Sequence, residues 1–245
     1  MDKKVIFIFL AVCILQTISW YFTSRRFFRI YFFEALQSNS DVFLWEYLYW
    51  FATDFITLFI LPVLIIKILF KEKIRDYGIT LGDNKAGLTF SLLILFIMLP
   101  VIWFASSSPE FSETYPLLYS AKQSWRVFVT FEIGLFIYMF AWEFIWRGFM
   151  LFGLKEKFGY YAVLIQLIPF VILHNGKPVP ETFGAIIAGI VLGALALRTG
   201  SIFYGIIAHA GVIFVIDLIS TLRFKAEDYG TGISSFINII RELTN

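Results

Sequence analysis

Charge is what this sequence has least of: 16% of its 245 residues are Asp, Glu, Lys or Arg, against roughly 25% in an average soluble domain. Together with 59% hydrophobic residues and 30 phenylalanines, that deficit is the balance of an integral membrane protein. The 20 basic and 18 acidic residues leave a formal net charge of +2, and neither a block of like charge nor aromatic-basic interleaving supports a nucleic-acid partner. Nucleic acid is therefore set aside as a partner. A single cysteine, Cys13, can close no intramolecular disulfide and leaves no thiol pair for metal or redox work. It reads as a small apolar residue of the first span. The stretch Leu10-Ala11-Val12-Cys13 is a poor lipidation site, because Val12 is bulky and the residues after Cys13 stay apolar. The chain also lacks an H-E-x-x-H helix for a zinc protease and a G-x-S-x-G turn for a serine hydrolase. No metal and no cofactor is expected.

Long apolar runs are what the chain has instead. A bilayer crossing takes about 20 residues at about 1.5 Å each. Seven spans are predicted, at about 4–23, 46–70, 86–105, 125–152, 159–174, 182–198 and 201–220. The fold expected is all-α, a polytopic membrane bundle of about seven helices forming one domain over 1–245. Lys3 and Lys4 precede an apolar run with no small-x-small exit, so the N-terminus reads as an uncleaved anchor. Residues 25–37, RRFFRIYFFEALQ, alternate basic and aromatic character over too short a length to span and read as an interfacial segment. Residues 106–124, with two prolines and a serine cluster, read as a loop on one membrane face, and mixed polarity returns from about 221. Lys67, Lys71, Lys73, Arg75 and Lys85 form the densest basic cluster, which the positive-inside tendency places in the cytoplasm. Seven spans then put Arg25, Arg26, Arg29, Arg223, Lys225 and Arg241 on the other side, so the charge bias is weak. Ala185, Gly189 and Gly193 recur every four residues and predict a stripe for close helix packing.

Against this background the charges inside the spans stand out. An ionised side chain at mid-bilayer costs at least roughly 2.5–3.5 kcal/mol, so such groups face a partner or a polar cavity. The predicted fourth span carries Glu132, Glu143 and Arg147; elsewhere lie Asp54, His174, His209 and Asp217. At about 100° per residue, Glu132 and Glu143 differ by about 20°, and Arg147 lies about 40° beyond. One helix face therefore carries all three, with Glu143 and Arg147 as intrahelical partners. A structural ion pair closing a bundle explains that spacing as well as a site does. The two histidines, both near membrane depth, point to a shared site with an intramembrane carboxylate, able to hold and deprotonate water.

These residues resemble the CAAX-processing and bacteriocin-immunity (CPBP, Abi-type) family of glutamic intramembrane proteases. WEFIWRGF at 142–149 is similar to the family's E-E-x-x-x-R motif, FVILH at 170–174 to its F-x-x-x-H motif, and HAGVI at 209–213 to its H-x-x-x-N motif. The similarity covers about residues 125–220, the expected catalytic core. It implies an intramembrane endopeptidase acting on a peptide or protein substrate at the lipid bilayer, in the cytoplasmic membrane of a prokaryote. Carried over by position, it puts Glu143 at the second glutamate, Arg147 at the arginine, and His174 and His209 at catalytic positions; the catalytic set expected is Glu143, His174, His209 and Arg147, with Glu143 and His174 activating water and His209 supporting the oxyanion. Two positions depart from the pattern: Trp142 stands at the first glutamate and Ile213 at the asparagine. Glu143 lies about 100° round the helix from Trp142, and a modest rotation would bring it to the water. Glu181 and Asp217 are further polar groups near the site, read as loop or helix-end residues. A non-catalytic scaffold or immunity-type binding protein is the alternative that the two departures suggest. An ion- or proton-coupled transporter using Asp54 or Glu132 is a third.

Overall fold

A computed structural model describes residues 2–243. Among them, six helical stretches are long and apolar enough to cross a membrane: Lys3–Tyr31, Val42–Phe70, Asn84–Ala105, Trp125–Phe158, Val179–Thr199 and Phe203–Ala226. The first is interrupted at Ser24, whose backbone is extended and whose hydroxyl accepts from the Phe27 amide. We number the helices α1 (Lys3–Ile18, with a wider turn at Ser19–Thr23), α2 (Arg25–Tyr31), α3 (Val42–Phe70), α4 (Asn84–Ala105), α5 (Pro109–Thr114) and α6 (Tyr119–Gln123). They are followed by α7 (Trp125–Phe158), α8 (Tyr161–Ile172), α9 (Val179–Thr199), α10 (Phe203–Ala226) and α11 (Ile233–Arg241).

The bundle is organised around α7. It packs along α3 on one side and α10 on another, while α10 lies against α4 and α9 against α8. Phe144–Phe152, the stretch of α7 that follows Glu143, is wound as a π-helix, and all nine residues are buried. Apart from Arg147 the stretch is apolar all round, as suits the interior of a bundle. Wider winding of this kind often marks functional sites, because it changes the phase of the side chains beyond it. Outward-facing residues are apolar too, Leu10, Phe96, Ile133 and Ile187 among them, as hydrocarbon contact requires.

Three expected elements differ in extent. The predicted span 159–174 is a helix of twelve residues, about 18 Å long, and Leu173 and His174 lie in the turn that follows it. The last span does not stop at 220: α10 runs to Ala226 and buries Arg223. Residues 106–124, read as a loop, hold the short helices α5 and α6. The segment 25–37 is short helices laid against α3, held where Glu46, fully buried, takes Arg25 Nε at 2.6 Å and Arg29 Nε at 2.9 Å.

Two backbone approaches position the site, one setting the phase of α10 and the other seating α9 on α8. Gly82 has φ +51, and a Cβ there would lie 1.9 Å from the Thr199 carbonyl oxygen. Only glycine lets the 78–83 loop close on the turn between α9 and α10. Across that closure the Asp83 amide donates to the Thr199 carbonyl (2.9 Å), the Ile202 amide to Gly78 (3.0 Å) and the Tyr204 hydroxyl to Leu81 (2.7 Å). The small-residue stripe of α9 packs on α8 as its spacing predicts. A Cβ on Gly189 would meet Leu167 at 2.4 Å and the Phe170 ring at 3.0 Å, and one on Gly193 would meet Val163 at 2.9 Å. Gln166 seals the contact by donating to the Gly189 carbonyl at 3.1 Å. The close approach of α9 thereby seats Phe170, on which the site below is built.

Candidate functional site

Glu143, at the last α-helical turn of α7 before the π-helical stretch, has no solvent exposure, and neither has Arg147. Arg147 Nη1 donates to Glu143 Oε1 at 3.0 Å. The partnership expected from the i,i+4 spacing therefore forms, within winding wider than the 100° per residue assumed for it. From α10, His209 Nδ1 donates to the same oxygen at 2.7 Å. Glu143 Oε2 has no hydrogen-bond partner and faces Gly205, where a Cβ would stand 3.2 Å away. Gly205 thus keeps the space beside that oxygen open.

His174 follows α8 and turns back on it: its Nδ1 donates to the Phe170 carbonyl at 2.7 Å. The two imidazoles lie nearly parallel, with ring centroids 6.4 Å apart and 21° between their planes. Because each Nδ1 is engaged, each Nε2 is left to meet something else. Phe170 is the common floor. Its ring lies 4.1 Å below the Arg147 guanidinium, 4.4 Å from the His174 ring and 5.9 Å from the His209 ring. A cation over an aromatic face gains more when the pair is desolvated, as here. The role of Phe170 had a signal in FVILH, but the ring's place beneath three polar groups requires the fold. Gly205 carried no signal that separates it from any other glycine of a span.

Trp142 lies beside this group, its indole 6.2 Å from the His174 ring and 5.6 Å from that of Trp146. Ile213, half-buried, joins the apolar cluster of Tyr47, Phe51, Phe131 and Leu135. The structure therefore gathers Glu143, Arg147, His174 and His209 into one cluster and lines it with Trp142.

The other charges of the spans do not join it. Asp54 is tied to the Thr23 hydroxyl and to Trp50 Nε1 (2.8 Å) between α1 and α3. Glu132 and Asp217 lie within hydrogen-bonding reach of each other on the facing helices α7 and α10. Asp217 is buried nine residues before the end of α10, so it is an interior residue and not one of a helix end. Glu181 sits in the first turn of α9 and accepts from the Tyr115 hydroxyl, which in turn accepts from Lys177 Nζ at 3.0 Å. Tyr115 and Lys177 form part of this second polar group, and neither was singled out in the sequence. A lone lysine three residues past His174 carried the available hint.

Residues 121–215 match the model of the family described as Rce1-like, Type II CAAX prenyl endopeptidase Rce1-like. No curated protein and no solved structure matches the chain. The matched segment runs from the end of α6 through Trp142, Glu143, Arg147, His174 and His209 to the middle of α10. The chain is an integral membrane protein whose residues 121–215 are similar to the Rce1-like type II CAAX prenyl endopeptidases.

Proposed function

We propose that the chain is an intramembrane endopeptidase in which His174 and His209 act on a water and a peptide carbonyl, with Glu143 and Arg147 supporting His209. The observation that carries the reading is the pair of engaged Nδ1 atoms, 2.7 Å from Phe170 O and from Glu143 Oε1, which leaves both Nε2 atoms for chemistry. His174 Nε2 takes a proton from the water as its oxygen attacks the carbonyl carbon. His209, when protonated, donates from Nε2 to the oxyanion that forms. Collapse of the tetrahedral intermediate breaks the C–N bond, and the proton held by His174 passes to the leaving amine. General-base and oxyanion contributions of this kind are each worth on the order of 10²-fold or more. Glu143 is here a positioning residue, since its carboxylate fixes the His209 tautomer and accepts from it. The compartment this reading implies is the cytoplasmic membrane of a prokaryote.

The test is cleavage of a mixed peptide library by detergent-purified protein, beside Glu143→Gln and His174→Ala. Cleavage by the native chain that both substitutions abolish is the expected result; cleavage intact in both would end the proposal.

Trp142 favours a second reading. Its indole packs against His174 where the family motif has a glutamate, as suits a cavity that binds a partner without cutting it. On that reading the native chain is inactive, and Trp142→Glu with Ile213→Asn creates cleavage of the same library. Native cleavage would sink this second reading.

A further inference from the structure

A groove of about 590 Å3 runs along the seam of α7 and α10, lined by Trp125, Phe128, Ile133, Phe136, Ile137 and Phe214 among others. Its one charged lining group is Glu132. Behind Glu132 lies Asp217, 1% exposed, with neither carboxylate oxygen receiving a conventional donor; Glu132 Oε1 likewise has none. A buried polar group left without a partner is costly, so an oxygen pair of this kind calls for something to fill it. The charges around Asp217 are the carboxylates of Glu132 and Glu181 and the ammonium groups of Lys122 and Lys177. Both ammonium groups have other hydrogen-bond acceptors, Lys122 the Ser112 carbonyl and Lys177 the Tyr115 hydroxyl. With all three carboxylates ionised they face two cations, a deficit of one positive charge that either a proton shared by Glu132 and Asp217 or a bound cation makes good.

The groove also points at the candidate site. On α7 it ends at Ile137, six residues before Glu143, and on α10 at Phe214, five residues after His209. Its occupant must therefore be apolar along its length, carry one cation, and extend toward the two histidines.

We propose that the Glu132–Asp217 pair binds the basic side chain of an otherwise apolar peptide segment lying in this groove, four or five residues from the bond that is cleaved. The spacing follows from helix geometry: Asp217 is eight residues from His209, about 12 Å, and Glu132 is eleven from Glu143, about 16 Å. An extended peptide covers that distance in four to five residues at about 3.3 Å each. The cleavage part of this inference rests on the endopeptidase reading; the binding part does not. In the empty groove a proton shared by the two carboxyls leaves both satisfied, and the incoming cation displaces it.

The experiment uses an apolar host peptide whose single lysine is walked along its length, beside the same peptides carrying norleucine. Binding is read by fluorescence anisotropy on the full-length His174→Ala protein, which needs no turnover, and cut sites are read on the native chain. Lysine peptides are expected to bind at least about tenfold tighter than norleucine peptides, as a charge-assisted hydrogen bond supplies, and Glu132→Gln to abolish the difference. The cut is expected to move with the lysine, four or five residues away. Equal binding of lysine and norleucine peptides overturns the proposal whether or not anything is cut, and that comparison does not depend on Glu132→Gln folding. Cut sites indifferent to lysine position overturn the assigned spacing. Tighter lysine binding without cleavage of any peptide upholds the basic-residue site and removes the endopeptidase reading instead.

Discussion

Glu143→Gln is expected to lower kcat for peptide cleavage by roughly 10³-fold with KM changed by no more than about twofold. The carboxylate accepts from His209 and Arg147 through the same oxygen, and an amide of the same shape can present either its oxygen or its NH2 to His209. Where the NH2 faces the ring, His209 must accept at Nδ1 and hold its proton at Nε2; where the oxygen faces it, the negative charge that supports a protonated imidazole is gone. Both outcomes act on a step of the reaction and not on peptide binding, which is why kcat moves and KM does not. A residue acting through another is tested by non-additivity. In a His209→Ala background Glu143→Gln should cost less than about threefold more, and Glu143→Asp should recover at least about tenfold of the activity that Gln loses. Fold losses that multiply in the double variant would show that Glu143 acts independently of His209.

Much of this architecture was legible because hydrocarbon imposes a simple rule: apolar length makes a span and an internal charge needs a partner. That rule found the spans and the Glu143–Arg147 pair. It failed where the partner comes from a distant part of the chain. Arg223 read as the start of a polar tail, yet its guanidinium is buried, donating to Ser106 Oγ (2.8 Å), the Trp103 carbonyl (2.9 Å) and the Gly230 carbonyl (2.8 Å) above the Trp103 ring. With those acceptors α10 continues one and a half turns past its predicted end, and nothing local to Arg223 announces Ser106 or Trp103. Glu46 escaped notice for the same reason, since Arg25 and Arg29 belong to a segment read on its own. The site shows both sides of this. An i,i+4 spacing placed Arg147 against Glu143, whereas the contact of His209 with the same oxygen depends on the Gly82 closure that sets α10.

The same buried charges make Arg147 the residue whose loss should damage folding most. Arg147→Leu is expected to destabilise the chain by about 3–5 kcal/mol, because it leaves the Glu143 carboxylate without its countercharge at zero exposure. For a chain of this size that is a fall of roughly 10 °C in the melting temperature, read by thermal unfolding in detergent. Packing alone predicts less, since leucine fills much of the volume over the Phe170 ring. The double variant Glu143→Leu/Arg147→Leu separates the two causes: with no charge left in the pocket, most of the loss should return, as when a buried ion pair is exchanged for apolar residues of similar size. His209 would keep its ring but lose its acceptor, so this recovered fold should be catalytically dead. A double variant as unstable as Arg147→Leu would assign the cost to the lost cation–π contact and shape, while a stable Arg147→Leu would mean that His209 can neutralise Glu143 unaided. The expected separation, stability regained and activity not, follows from one carboxylate oxygen accepting from both Arg147, which keeps it buried, and His209, which on the endopeptidase reading acts on the substrate.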